Sequence, residues 1–180
     1  NSILADKKVD DELRKMPRAD YARHLSDDID SKIVDILVES VSGRFDIPQR
    51  FYELKSKILG LKKLEYHERN VQYGKIDKKY SYKEAVDLVY DVFNNLNSEF
   101  SKILVKFSKN GQIDVYPKKG KSDGGFCIHW LITQPTYILI NYADKLEDVL
   151  TLAHELGHGI NNELIKEKQN SLYFETPLST

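Results

Sequence analysis

Apolar residues in the first third of the chain recur every three or four positions, which is the period of amphipathic helices. Residues 1–25 are charged and weakly periodic, and they predict one or two short, loosely packed helices. A longer helix is predicted from an N-cap at Ser26 to a stop at Gly43, and another after Asp46. Both are expected to bury an apolar stripe in a core. The two stripes are Ile29, Ile33, Ile36, Leu37 and Val41, and Phe51, Leu54, Ile58, Leu61 and Leu64.

Two further helices are predicted after a polar, glycine-containing loop. Ser81 and Glu84 have the spacing of a capping box, in which each side chain accepts a hydrogen bond from the other's backbone N–H. The apolar repeat then continues to Leu96. Asn97 can cap the next helix, which is expected to end near Asn110.

The pattern then changes to short runs rich in β-branched and aromatic residues. These runs, at residues 113–116, 126–131 and 137–142, predict a small antiparallel sheet. Residues 145–168 are again periodic and predict one long helix, with Asp144 as its N-cap. The predicted fold class is therefore α+β and predominantly α-helical, with the sheet next to the long helix.

Composition narrows the possible partners and the compartment. The 180 residues carry a net charge of −1 with a pI near 6.6, so no global field attracts nucleic acid or an anionic membrane. The sequence has no signal-peptide pattern and no apolar run long enough to span a bilayer. A single cysteine, Cys127, excludes an internal disulfide and favours a reducing, cytoplasmic location.

The long helix contains the chain's most informative motif, the HExxH pattern of His154–His158. Side chains four apart on a helix are neighbours on one face, so His154 and His158 can bind the same Zn²⁺ ion. Glu155 is placed to take a proton from a water on the open side of that ion. The residues around the motif are apolar, which indicates a packed helix in which unpaired imidazoles would need a partner.

A third protein ligand is not evident from spacing. Asn161 and Leu164 stand where a metzincin has glycine and histidine, which excludes that class. Glu163 is turned about 140° around the helix from the second histidine, and Glu167 lies more than two turns beyond it. Glu175 is a sterically conceivable but weak candidate, so the third ligand stays unknown.

Other reactive or charged residues have simpler interpretations. The lysines at 118, 119 and 121 predict a solvated turn rather than a phosphate site, because no glycine-rich helix start follows them. Cys127 is expected to be a small buried side chain rather than a nucleophile. His24, His67 and His129 are not spaced from the HExxH motif as further metal ligands would be. They are expected to face solvent or to take part in packing. An edge strand next to the motif helix could bind an extended peptide. Gly124 and Gly125 would let the backbone of a substrate approach closely, and the alternative is that they form only a flexible turn.

Several separated runs occur together in a recognisable order: Ile113–Pro117, Lys121 with Gly124–Cys127, Asn141–Tyr142, Thr151–His158 and, upstream, Lys75–Tyr82. Together they resemble the M3 peptidases, with the oligoendopeptidase F type as the nearest branch. The resemblance covers residues 45–180 well and the first forty-odd residues less clearly. It divides the chain into an N-terminal helical segment, 1–45, and a partial catalytic domain, 46–180.

The resemblance implies a zincin of the gluzincin type that hydrolyses peptide bonds in short, unfolded peptides. It implies one Zn²⁺ held by His154 and His158, with Glu155 as general base and proton shuttle. Gly125, Phe126 and Cys127 would line the cleft and bind the substrate backbone.

In this family the third ligand is a glutamate on a helix that follows the segment ending here at Thr180, so we expect the chain to be a partial catalytic domain. The competing hypothesis is a metal-binding or interaction module without peptidase activity, or one whose missing ligand comes from another chain. Surface that a partial domain leaves uncovered would favour self-association.

Overall fold

The computed structural model describes residues 2–74 and 78–176. The chain divides into two compact units, residues 1–75 with 176–180, and residues 76–175. Lys75–Asp77 and the end of the chain from Pro177 to Thr180, which carry part of the family resemblance, lie outside the described residues. The division after residue 45 stays a prediction, because compactness alone does not define a catalytic domain.

The first unit consists of helices and turns. Its helices are α1 (Ser2–Leu13), α2 (Tyr21–Ser26), α3 (Ser31–Ser42) and α4 (Asp46–Ile58), and a 3₁₀ turn follows at Tyr66–Glu68. The predicted start of α3 was wrong, because Ser26 ends α2. Asp30 is the N-cap of α3, and its carboxylate accepts a hydrogen bond from the backbone N–H of Lys32 at 2.8 Å.

The apolar stripes of α3 and α4 are exposed for most of their length. Ile33 and Phe51 retain 62% and 57% of their accessible surface, and α3 has no buried residue. The prediction that these stripes pack into a core was therefore wrong for most of their members. The spacing of apolar residues identifies which face of a helix could be buried, but it does not show that another helix or strand packs against that face. None of the helices in the described ranges is long and apolar enough to cross a membrane.

The second unit contains three helices and the sheet. Its elements are α5 (Tyr82–Leu96), α6 (Ser98–Lys109), β1 (Ile113–Asp114), β2 (Phe126–Ile128), β3 (Tyr137–Leu139) and α7 (Leu146–Lys168). The caps of α5 and α6 form as predicted. Ser81 Oγ accepts from Glu84 N while Glu84 Oε2 accepts from Ser81 N, and Asn97 Oδ1 accepts from Glu99 N.

The hydrophobic core lies where α5, α6 and the sheet meet α7. Its fully packed members are Ala85, Val89, Leu104, Phe107, Ile138, Ile140, Tyr142, Val149, Leu152 and Leu156. Gly159 lets α7 approach closely: a Cβ there would lie 2.8 Å from Phe107 Cε2 and 3.1 Å from Ile138 Cδ1. The fold is α+β and predominantly helical, as predicted.

The sheet has the order β1-β3-β2 and is mixed. β2 and β3 pair antiparallel, as the sequence predicted, and the structure sets Phe126 opposite Leu139 and Ile128 opposite Tyr137. β1 pairs parallel with β3, so the expectation of a wholly antiparallel sheet was wrong for that strand. Because β2 pairs with one side of β3, β1 can pair only with the other side. The long β1–β2 loop allows β1 to run in the same direction as β3. β2 is consequently an edge strand.

The start of α7 is held by Asp148 rather than by the predicted Asp144. The Asp148 carboxylate accepts hydrogen bonds from the backbone N–H groups of Ala143 and Lys145 at 2.8 and 2.9 Å. Asp144 instead adopts a left-handed conformation, with φ +62°, in the turn before the helix.

We expect Asp148→Ala to lower the free energy of unfolding by about 1 kcal/mol, because two backbone donors lose their acceptor. Urea unfolding followed by circular dichroism measures this change. Glu167→Ala, which removes an exposed carboxylate near the other end of α7, is the control and should change stability by no more than about 0.5 kcal/mol. Equal effects of the two substitutions would contradict the role of Asp148.

Candidate metal centre

The two histidines of the motif meet on one side of α7. Their Nε2 atoms lie 3.1 Å apart, and their rings are perpendicular with centroids 4.7 Å apart. The helix is anchored beneath them because Leu152 and Leu156, on its opposite face, are fully buried. His154 is exposed and His158 is half-buried, so the two nitrogens lie at the surface of a rigid element.

The separation of the two Nε2 atoms fits that of two nitrogen ligands on one zinc ion. Two nitrogens bound to Zn²⁺ at about 2.0–2.1 Å with tetrahedral angles would be about 3.3–3.4 Å apart, close to the separation of the Nε2 atoms. A shift of a few tenths of an ångström in either ring would complete the match. His154 and His158 are therefore suited to hold one metal ion together.

Glu155 lies beside the beginning of β2. Its side chain is buried, with 7% of its surface exposed. A Cβ on Gly125 would lie 3.2 Å from Glu155 Cγ, 3.3 Å from Glu155 Oε1 and 2.7 Å from Thr151 Cγ2. The backbone that leads into the edge strand thus lies so close to α7, at the candidate general base, that it leaves no room for a side chain at residue 125.

The other two predicted substrate-binding residues lie on opposite faces of β2. Cys127 faces α7, where Asn162 Nδ2 donates to its Sγ at 3.4 Å. Burial raises the pKa of this thiol to about 11, so the sulfur is protonated at neutral pH and is not a nucleophile. Phe126 is half-buried on the outer face, beside Ile113 and Tyr137 along an open groove.

The acidic residues downstream of the motif do not complete a metal site. Within residues 2–74 and 78–176, no group of three or more His, Cys, Asp or Glu side chains could hold a metal ion. Glu163 is engaged elsewhere, accepting hydrogen bonds from Lys106, Lys166 and Thr136 at 3.1, 2.8 and 2.9 Å. Burial raises its pKa, but these three donors outweigh that effect and lower it. Glu175 is exposed, and it forms no metal cluster in the described chain.

His129 has a packing role, one of the two that the sequence left open. It follows β2, and its ring packs edge-on against the buried Phe174, with centroids 5.4 Å apart. Its Nδ1 atom is buried without a hydrogen-bond partner among the described residues. Burial, followed by the charges of Lys166 and His158, lowers the pKa of His129, while Glu175 acts in the opposite direction. Only the tertiary fold brings these groups together, and no sequence signal would have found them.

The three lysines of the predicted solvated turn behave differently from one another. Lys118 and Lys119 are exposed, as expected. Lys121 is not: its side chain retains only 1% of its accessible surface, and its ammonium group contacts backbone carbonyls. The prediction of a solvated turn was wrong for this residue.

Known proteins resemble this chain over most of its length. The profile of peptidase family M3 matches residues 26–179. The chromosomal oligoendopeptidase F of Lactococcus lactis subsp. cremoris is 26% identical over 167 residues, covering 93% of this chain and 28% of that protein. An oligoendopeptidase F homolog of Borreliella burgdorferi is 31% identical over 168 residues, covering 90% of this chain and 28% of that protein. The chain thus spans about 28% of the length of these relatives.

A solved structure supports the same assignment at the level of fold. A crystal structure from Chlamydophila abortus, described as that of a peptidase, superposes with a TM-score of 0.71. Its sequence identity is 23%, and the match covers 90% of this chain and 27% of that one. The match of the family profile to most of the chain, with its HExxH helix beside a small sheet, leads to one conclusion: the chain belongs to peptidase family M3.

Proposed function

We propose that this chain carries part of the active site of a zinc-dependent endopeptidase that acts on short oligopeptides. The observation that carries the proposal is the 3.1 Å approach of His154 Nε2 to His158 Nε2, beside Glu155, on a helix of an M3 chain. The relatives' description as oligoendopeptidases supports oligopeptides as the substrate class.

Glu155 would carry the proton through the reaction. A bound Zn²⁺ would supply Lewis-acid polarisation of the scissile carbonyl and would lower the pKa of a water at the site. As the water oxygen bonds to the carbonyl carbon, the Glu155 carboxylate accepts the proton that the water releases. Glu155 then gives this proton to the amide nitrogen as the carbon–nitrogen bond breaks, and the carboxylate is regenerated.

The edge of β2 is suited to bind an extended peptide. Its inner side pairs with β3, and the described chain has no strand on its outer side. An added peptide strand would form backbone hydrogen bonds there, which any unfolded sequence can make. Because Gly125, just before β2, lies so close to Glu155 that a Cβ there would be 3.2 Å from Glu155 Cγ, such a peptide would pass close to the candidate base. These features favour short, unfolded peptides as substrates.

We place the activity in a reducing compartment, the cytoplasm. The only cysteine is a half-buried free thiol, and it has no second cysteine with which to form a disulfide. Such thiols persist where glutathione and thioredoxin keep them reduced.

The second candidate function is a metal-binding or interaction module without peptidase activity. One observation favours it: the described residues supply two candidate zinc ligands and no third. With two protein ligands the ion would be held weakly, and more than one of its positions would be filled by water. Another polypeptide, or residues beyond those described, would have to supply the remaining ligand.

Measurements of zinc binding and of chelator-sensitive cleavage distinguish the two candidate functions. We expect the wild-type chain to bind about one Zn²⁺ in equilibrium dialysis, and His158→Ala to weaken binding at least about tenfold, because one imidazole ligand is lost. His67→Ala, which removes an exposed histidine of the first unit, is the matched control. Equal zinc binding by wild type and His158→Ala would contradict the site. Bound zinc without chelator-sensitive cleavage of a quenched oligopeptide would favour the binding module.

A further inference from the structure

The ammonium group of Lys121 is buried among backbone oxygens at the end of the parallel strand pair. Lys121 Nζ donates to the carbonyl oxygens of Asp114, Tyr116 and Ile140 at 3.0, 2.9 and 2.6 Å. It also lies 3.2 Å from the Asp114 carboxylate. A buried lysine loses its hydration, and a set of oxygens this complete is what compensates for the loss.

This arrangement joins three pieces of backbone that diverge at this point. β1 and β3 run side by side, and backbone hydrogen bonds continue past the strand ends: the Ile140 N–H donates to the Asp114 carbonyl oxygen at 2.9 Å, and the Tyr142 N–H donates to the Val115 carbonyl oxygen at 3.0 Å. Beyond these two bonds the chain enters the β1–β2 loop. Lys121, from the middle of the same loop, reaches back to both strand ends. The loop is therefore tied to the sheet by a charged donor.

Asn141 secures the next part of the same loop. Its Nδ2 atom donates to the carbonyl oxygens of Ser122 and Gly124, both at 2.9 Å. Gly124 adopts φ +80°, a left-handed conformation that glycine reaches without strain, and its carbonyl oxygen is turned to the Asn141 amide. Together, Lys121 and Asn141 hold the loop up to the residue before Gly125.

Gly125 is where this loop meets the candidate catalytic machinery. Its Cα is so close to α7 that a Cβ would lie 2.7 Å from Thr151 Cγ2 and 3.2 Å from Glu155 Cγ. β2 begins at the next residue. The position of the edge strand relative to Glu155 is thus set by a loop whose tertiary side-chain anchors are Lys121 and Asn141.

We propose that Lys121, assisted by Asn141, is the positioning residue for the peptide-binding edge: it holds the β1–β2 loop so that β2 starts against Glu155. This inference rests on the proposed function, because it assumes that the β2 edge binds the substrate. Among the described residues, the hydrogen bonds and ion pairs of the Lys121 and Asn141 side chains go to Asp114, Tyr116, Ile140, Ser122 and Gly124, and not to His154, Glu155 or His158. Their loss should weaken peptide binding and leave the metal and the base in place.

The test compares Lys121→Met with Lys118→Met in the full chain. Methionine keeps most of the buried methylene stem of Lys121 but cannot donate to the three carbonyls. Lys118 is the matched control: it belongs to the same loop and pairs with the same Asp114 carboxylate at 3.1 Å, but its side chain is 67% exposed. Asn141→Leu, which loses only the two outer hydrogen bonds, is a second variant in case Lys121→Met does not fold.

Four quantities are measured on each protein: bound zinc, kcat and KM for a quenched oligopeptide, the dissociation constant of a labelled unstructured peptide, and hydrogen exchange of the amides of residues 125–128. For Lys121→Met and Asn141→Leu we expect KM and the dissociation constant to rise about tenfold or more, with kcat changed by less than about threefold. Amide exchange at residues 125–128 should accelerate, and zinc binding should not change. Lys118→Met should match the wild type in all four.

Each other outcome decides against the proposal or separates it from the proposed function. A lower melting temperature with unchanged peptide affinity would make Lys121 merely structural and would overturn the inference. Loss of zinc in the variants would overturn it too, because the residue would then act through the metal site. If the wild type binds peptide without cleaving it, the proposed catalysis fails, while the dissociation constants still decide the role of Lys121. If the wild type does not bind peptide at all, the edge is not a substrate site and the inference falls.

Discussion

Replacing Glu155 by glutamine is expected to reduce kcat for peptide hydrolysis at least about 10³-fold, within the range attributed to a positioned general acid–base group. Glutamine has nearly the shape of glutamate, so the packing of this buried side chain against the Gly125 backbone should persist. It cannot accept the proton that the attacking water releases. Because Glu155 is not one of the two nitrogen donors, zinc binding should stay within about twofold of the wild type.

The measurement is steady-state cleavage of a quenched oligopeptide, with bound zinc determined on the same preparations. Glu167→Gln is the control, since it removes an exposed carboxylate from the same helix and should retain wild-type cleavage. Cleavage retained by Glu155→Gln would remove Glu155 from the role of general base. Zinc lost together with activity would mean that the carboxylate is a ligand rather than a base.

Leu156→Ala is expected to destabilise the second unit by about 2–5 kcal/mol, the range for truncating a fully buried leucine. Leu156 is 0% exposed and belongs to the core cluster formed by α5, α6, α7 and the sheet. Leu156 lies on the same helix as the candidate metal centre, between His154 and His158 in the sequence. Truncation leaves a cavity, and the surrounding members of the core cannot fill it without leaving their own contacts. Urea unfolding of the second unit measures the loss.

Leu150→Ala provides the comparison on the same helix. Leu150 is 63% exposed, so its truncation should change the free energy of unfolding by no more than about 0.5 kcal/mol. Leu156→Met, which nearly conserves volume, should cost less than about 1.5 kcal/mol. A loss below about 1 kcal/mol for Leu156→Ala would show that α7 is not anchored by this core.

Local signals explain why much of the second unit could be predicted. The Ser81–Glu84 capping box and the Asn97 cap act between residues that are two or three positions apart, so they operate wherever the chain folds. The first unit shows the limit of the same reasoning. Ser26 and Asp30 are both competent caps, and the choice of Asp30 depends on backbone geometry that the sequence does not display. The apolar stripe of α4 was equally evident in the sequence, yet its member Phe51 is exposed in the structure.

The candidate site divides in the same way. His154, Glu155 and His158 lie within one helical turn and a half, and helix geometry alone brings the two imidazoles to one point. The neighbours of these residues come from distant parts of the chain. Gly125 lies 30 positions before Glu155, and the approach of the two depends on β2 packing against α7.

The sequence by itself determined the helix periods, the caps of α5 and α6 and the HExxH motif, because each depends on residue types at short, constant spacings. Membership in peptidase family M3 was also accessible from the sequence, through its resemblance to that family. The tertiary structure decided the parallel pairing of β1, the burial of Lys121 and the contact of Gly125 with Glu155. A surface lysine and a buried one have the same side chain, and only the carbonyl oxygens of Asp114, Tyr116 and Ile140 distinguish them. Those oxygens converge only once the strands have paired, and no local pattern encodes that convergence.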